Sequence, residues 1–247
     1  MLIHGIGSTR RVWKPVLRAL EERHDAIALS LPGCGESPPA RGPLTVAALA
    51  DEVEGAMDGL GIGRAHVAGH SLGGWIGAEL ACRGRARTLV AISPAGLWTE
   101  RERRWCVRSL GASRFLASRI SETATARLCT VGPVRALVMA QMRARGWRLD
   151  PDEATYEVRA FARSSSFEAI VRHFRVARAE GLERVTVPTR IVWGTWDCLL
   201  PVRQARRWVE RIPGAELVEL PRLGHAPMSD DPAAVARTIL ELTAPRI

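Results

Sequence analysis

The chain has 247 residues, with 35 Lys+Arg against 26 Asp+Glu and a formal charge of +9. That length fits one large domain, or a core with a modest insertion, and can bury a core without disulfides or metal. An apolar fraction of 47% with 25% charged residues argues against a disordered chain; the longest charge-free run, Ala65–Ala78, has 14 residues with four glycines and two histidines, too short and too polar to span a bilayer.

In chain order, Ala26–Leu31 reads as a buried strand ended by Pro32-Gly33. Leu44–Leu60 reads as a helix, with Val46, Leu49, Val53, Met57 and Leu60 at three- and four-residue steps, Thr45 as a candidate cap, and Gly61 and Gly63 beyond its end. Ala65–Ala68 is a short strand, Leu72 to about Arg83 a helix, and Thr88–Ile92 another strand. From Trp98 to about Gly181 the periodicity is helical, punctuated by Gly132-Pro133 and Asp150-Pro151. Strands then return at Thr189–Trp193 and Glu216–Leu220, with helices expected at Pro201–Ile212 and Pro232–Leu242. Strands alternating with helices imply an α/β fold with a mostly parallel sheet covered on both faces. The expected division is a core of 1–97 and 186–247, with an all-helical insertion over 98–185.

The charge is regional. Residues 98–185 hold 17 arginines and 10 acids, a net of +7, and the whole chain has a single lysine, Lys14. Neither a recognised nucleic-acid module nor aromatics spaced to stack bases accompanies the charge. A solvated arginine-rich helical surface is the plain expectation; an acidic carrier protein, an anionic substrate or a membrane surface is the alternative. The five cysteines include no Cys-x-x-Cys pair, and the N-terminus has no basic segment leading an apolar one, so the expectation is a cytoplasmic protein.

Gly69-His70-Ser71-Leu72-Gly73 follows a strand and opens a helix. A sharp strand-to-helix turn lifts a serine hydroxyl clear of a sheet, and glycines on either side remove Cβ atoms where the two elements nearly touch. The helix start aims free N–H groups and the positive dipole end at that hydroxyl. A hydroxyl is a weak nucleophile and needs a base and an acid to orient the base. Asp197 lies just beyond one later strand and His225 beyond the next, 126 residues after Ser71 and 28 after Asp197 respectively. The C-terminal ends of strands are where open α/β sheets place their sites. His4, His70, Cys198 and Trp75 are expected to be structural: the histidines as loop supports, Cys198 and Trp75 as packing residues.

With His4-Gly5-Ile6-Gly7, Leu31-Pro32-Gly33-Cys34-Gly35-Glu36-Ser37, the Gly69–Gly73 turn, Gly194–Asp197 and Gly224-His225-Ala226-Pro227, the chain resembles the α/β-hydrolase family over 1–97 and 186–247. For 98–185 the resemblance is only to a helical cap inserted after the family's sixth strand. It implies Ser71 as nucleophile, His225 as general base and acid, Asp197 as the residue orienting His225, and the backbone N–H groups of Ile6 and Leu72 as oxyanion hole, each donor worth about 3 kcal/mol. No metal or organic cofactor is implied. Family members that open epoxides or displace halide carry aspartate at the turn; serine points to an ester, thioester or amide and an acyl-enzyme. Relatives with the same triad also cleave carbon–carbon bonds or make peracids, and a non-catalytic ligand-binding protein on this fold is the remaining alternative.

Family members usually have two further strands before the His-Gly loop, whereas only Met1-Leu2-Ile3 precede His4. Either the natural start lies upstream or those strands are absent. Their absence would leave Ala26–Leu31 as a bare edge, prone to pairing or aggregation.

Overall fold

The computed structural model describes residues 1–244. Six parallel strands form one sheet: β1 (Leu2–Ile3), β2 (Ala28–Leu29), β3 (Ala65–His70), β4 (Ala86–Ile92), β5 (Thr189–Gly194) and β6 (Glu216–Leu220), in the order β2-β1-β3-β4-β5-β6. Register pairs Leu2 with Ala28 and Ala68, Val67 with Leu89, Ala91 with Ile191, and Ile191 with Leu217.

Alternation along the strands sends successive side chains to two separate cores. Val67, Leu89, Ala91, Ile191 and Trp193 pack with α2 (Val46–Gly59), α3 (Leu72–Cys82) and α9 (Gln204–Arg211), whose Met57, Ile76 and Trp208 are buried there. Ala68, Val90, Ile92 and Val192 face the other way, onto α1 (Lys14–Glu21) and α10 (Pro232–Thr243) through Val16, Leu20, Val235 and Ile239. Both faces are covered, which is why the strands read as continuous apolar runs.

Helix starts follow local chemistry. Thr45 caps α2 by accepting from Ala48 N–H at 3.1 Å, and Asp231 caps α10 by accepting from Ala234 N–H at 3.0 Å. The expected strand Ala26–Leu31 narrows to Ala28–Leu29, because only Leu2 and Ile3 pair with it. The expected helix Pro201–Ile212 begins at Gln204: Gln204 and Ala205 N–H donate instead to Pro201 and Val202 carbonyls in three-residue turns. Helix α1 adds an element to those expected from the sequence; Thr9 caps the turn before it, and Val12, Val16 and Leu20 recur every four residues.

Between β4 and β5 lie α4 (Glu100–Arg119), α5 (Glu122–Thr130), α6 (Gly132–Met139), α7 (Pro151–Arg163) and α8 (Phe167–Phe174), with no strand among them. The two Pro-containing breaks start helices: Pro133 sits in the first turn of α6, and Pro151 opens α7 with Asp150 Oδ1 accepting from Asp152 and Glu153 N–H. Thr99 and Glu102 form a reciprocal capping box on α4. Glu102 is buried and also takes Arg203 at 2.6 Å and Arg207 at 2.5 Å, tying α4 to the core helix α9. The arginine surplus of 98–185 is partly internal glue rather than a solvated face. Arg103 and Arg104 pair with Glu100, Arg159 donates to the Ile120 carbonyl at 2.7 Å, and buried Arg135 donates to the carbonyls of Cys129 and Trp147.

Candidate active site

Ser71 sits at the turn from β3 into α3 with φ 55° and ψ −115°, a conformation that a non-glycine residue adopts only when its surroundings enforce it. They do so here. Ser71 N–H donates to the Ile92 carbonyl at 2.9 Å, and its own carbonyl accepts from Gly74 and Ala95 at 3.0 and 3.1 Å. The glycines make the turn possible: a Cβ on Gly69 would lie 2.1 Å from the Gly73 carbonyl oxygen, and one on Gly73 2.1 Å from that of Ile3. The Ile6 and Leu72 N–H groups find no acceptor among the described residues, and Ile6 lines the same cavity as Ser71.

Asp197 follows β5 and is held by the backbone beyond it. Its Oδ1 accepts from Leu199 N–H at 2.9 Å and Leu200 N–H at 2.7 Å, which leaves Oδ2 for His225 Nδ1–H at 2.7 Å. That bond places the imidazole proton on Nδ1 and leaves Nε2 as an acceptor. Nε2 is buried without a protein partner, and both Ser71 and His225 line one cavity of about 400 Å³. The structure therefore brings Asp197 and His225 into direct contact and opens His225 and Ser71 onto shared space.

Two further histidines support these loops. His70 Nε2–H donates to the His225 carbonyl at 3.0 Å, and burial, aided by the neighbouring His225, holds its pKa well below the ordinary value. His4 Nδ1–H donates to the Gly5 carbonyl at 2.7 Å while its Nε2 accepts from Leu31 N–H at 2.9 Å; burial lowers its pKa to about 4. Trp75 is packed among Trp98, His173 and Phe174. Cys198, expected to pack, is instead exposed, because Asp197 turns the chain outward before Leu199 and Leu200 return to the core. Burial pushes the Cys106 thiol up to about 12, with the charge of Asp197 adding to the effect.

The site has a third side that the sequence reading did not foresee. Asp230 is buried, and its Oδ2 accepts from both Gly224 N–H and Ala144 N–H at 2.9 Å, its Oδ1 from Arg145 N–H at 2.9 Å. Ala226 N–H donates to the Met142 carbonyl at 2.7 Å, and a Cβ on Gly224 would lie 2.7 Å from Ala144 N. The His225 loop is thus stapled to the segment after α6. Beside it, Arg143 pairs with Glu157 of α7, and Glu157 lines the cavity. Burial raises the Glu157 carboxyl above its usual range, opposed by Arg143. No sequence signal separated Asp230 from Asp231, which caps a helix, or Glu157 from the other acids of α7.

The cavity floor is the Gly5–Thr9 loop, Ser71 and His225; its walls are largely apolar side chains of α4, α6 and α7, including Leu110, Leu116, Val138 and Phe161. Among the described residues, no three His, Cys, Asp or Glu side chains gather as a metal site would need, and no helix is long and apolar enough to cross a membrane.

Comparison with known proteins places the fold. The family model described as the alpha/beta hydrolase family matches residues 1–238. RutD of Pseudomonas savastanoi pv. phaseolicola, provisionally named a carbamate hydrolase, is 29% identical over 98% of this chain and 92% of its own. Epoxide hydrolase EphH of Mycobacterium tuberculosis is 30% identical over 79% of this chain and 94% of its own. Among solved structures, the enol-lactonase of Burkholderia xenovorans LB400 superposes with a TM-score of 0.79 at 22% identity, covering 98% of this chain and 89% of that one. With its parallel sheet and a family match over residues 1–238, the chain belongs to the alpha/beta hydrolase family and is a hydrolase by that membership.

Proposed function

We propose that the chain is a serine hydrolase acting on a carboxylic ester or thioester, with 98–185 serving as a cap that walls the substrate cavity. The observation that carries this reading is the Asp197–His225 bond, which leaves His225 Nε2 without a protein partner in a residue that lines the same cavity as Ser71. Nε2 takes the Ser71 hydroxyl proton as Oγ attacks the substrate carbonyl. The carbonyl π electrons move to oxygen, which Ile6 and Leu72 N–H groups stabilise. Collapse expels the alcohol or thiol with the proton from Nε2. Water then attacks the acyl-enzyme with the same base, releasing the acid and restoring Ser71. Asp197 holds the tautomer and steadies the imidazolium.

The epoxide chemistry named for one relative does not carry over, because a serine ether left by ring opening has no carbonyl for water to attack. The carbamate named for another relative has a carbonyl open to the same steps and remains within the proposed class. The expectation of an acidic carrier gains nothing from the site, since several arginines of the cap are paired internally.

The test is labelling by a fluorophosphonate and turnover of activated esters. Both are expected in the parent protein and absent in Ser71→Ala; labelling that persists in the variant overturns the role of Ser71.

A further inference from the structure

Glu157 is the single acid among the described residues that line the catalytic cavity. It stands on the inward face of α7, one turn after Glu153 and one turn before Phe161, which also lines the cavity. Glu153 pairs with Arg11 and Lys14 of the core, both at 2.7 Å. One carboxylate oxygen, Oε1, accepts from Arg143 Nη2–H. No protein donor reaches the other, Oε2, and the side chain keeps 21% of its surface exposed in a residue that lines the cavity. Arg143 itself is buried, with a side chain only 2% exposed, and does not line the cavity.

A charged pair beside apolar walls is costly to bury, and replacing such a pair with hydrocarbon is commonly neutral or stabilising. Core stability alone therefore gives a weak account of it. The arrangement has a chemical polarity instead: the cation is hidden from the cavity, and what faces the ligand is a lone-pair acceptor. We propose that Glu157 is a specificity-determining residue whose Oε2 accepts a hydrogen bond from a hydroxyl or ammonium group carried by the substrate away from its scissile carbonyl. The inference rests on the hydrolase reading above and narrows its substrate class: an acyl compound otherwise apolar, bearing one donor, and not an anion. A carboxylate in the same place would face Glu157 directly and would have to displace it to reach Arg143.

The experiment compares p-nitrophenyl esters of one acyl chain ending in methyl, hydroxyl, ammonium or carboxylate, over several chain lengths. Each protein serves as its own reference, because the ratio of kcat/KM between two esters is independent of the fraction folded. Hydrogen bonds to charged groups predict that the hydroxyl-to-methyl ratio falls at least about tenfold from the parent protein to Glu157→Leu. Glu157→Gln keeps an acceptor oxygen and should retain the hydroxyl preference while losing the ammonium preference. The pair variant Arg143→Met with Glu157→Leu leaves no orphaned charge and should show the same collapsed ratio. Ratios that move less than about twofold in Glu157→Leu, or a parent protein that prefers the carboxylate ester, overturn the proposal. If no ester is turned over, the ester-hydrolase reading fails, and the inference is judged on binding. Alkylamides with the same four termini are then added to Ser71→Ala, with and without Glu157→Leu. The hydroxyl and ammonium amides should raise Tm more than the methyl amide only where Glu157 is present; equal shifts refute it.

Discussion

Asp230 offers the sharpest test of how the site is held. Its carboxylate satisfies three backbone N–H groups, Gly224 and Ala144 on one oxygen and Arg145 on the other, at 2.9 Å each, and the residue is 2% exposed. Removing the acceptor orphans three donors. Each buried orphan costs about 1–3 kcal/mol, and water entering the vacated space recovers part of the loss, so Asp230→Ala should lose about 3–5 kcal/mol. That is a large share of a total stability of about 5–15 kcal/mol. Asp230→Asn is the finer probe. Its amide oxygen can keep Gly224 and Ala144, but its NH2 then meets Arg145 N–H donor against donor, at a cost of about 1–3 kcal/mol. Gly224 precedes His225, so the loss should also reach chemistry: a displacement near 1 Å costs on the order of a hundredfold in rate. Urea unfolding followed by tryptophan fluorescence gives the stability. Turnover of an activated ester per fluorophosphonate-titrated site gives the rate of the folded fraction. If both variants stay within about 0.5 kcal/mol of the parent, the range of ordinary surface substitutions, and turn over normally, the staple is not what holds the loop.

Asp197→Asn should place its amide oxygen where Leu199 and Leu200 N–H donate and turn its NH2 toward His225. The proton then moves to Nε2, and kcat should fall about 10⁴-fold with little change in Tm; a loss under about tenfold refutes the tautomer argument. Gly73→Ala drives a Cβ onto the backbone oxygens of Ile3 and His4 at 2.1 and 2.7 Å, so α3 and β1 must part, whereas Gly77→Ala meets only side-chain atoms, the nearer of them Leu89 Cδ1 at 2.9 Å. Circular dichroism melts should show loss of the native state in the first and a modest Tm drop in the second; equal effects would refute the close-approach reading. His4, with its pKa lowered from 6.5 to about 4, binds its proton more readily unfolded than folded. Its contribution is present above pH 6.5 and is lost as pH falls toward 4, worth about 3 kcal/mol across that window. Urea midpoints measured from pH 7 to 4 should therefore fall, and fall less steeply in His4→Gln; identical slopes would contradict the buried neutral ring.

Much of this protein is written locally. The unbroken apolar run Leu89–Ile92 and the three- and four-residue steps of Val46–Met57 are legible before any contact is known, the first as a strand buried on both faces and the second as one face of a helix; that Leu89 and Val90 face opposite cores is decided by the sheet. The same holds for Ser71 between Gly69 and Gly73, where the tightness of one turn dictates the neighbours, and for Asp197 and His225 at the ends of their strands. Local reading failed where pairing decides. Strand Ala26–Leu31 shortened to the two residues that β1 could partner, and α1 passed unseen although its apolar spacing was present. It failed again where the deciding neighbour is distant in sequence. Asp230 meets Ala144 across 86 residues, Arg203 meets Glu102 across 101, and neither partner leaves a mark on the other's local pattern. The positive charge shows the difference most plainly. Its amount and region are composition, but whether an arginine faces solvent, seals a helix end or neutralises Glu157 beside the cavity depends on which acids and carbonyls the fold brings within hydrogen-bond reach.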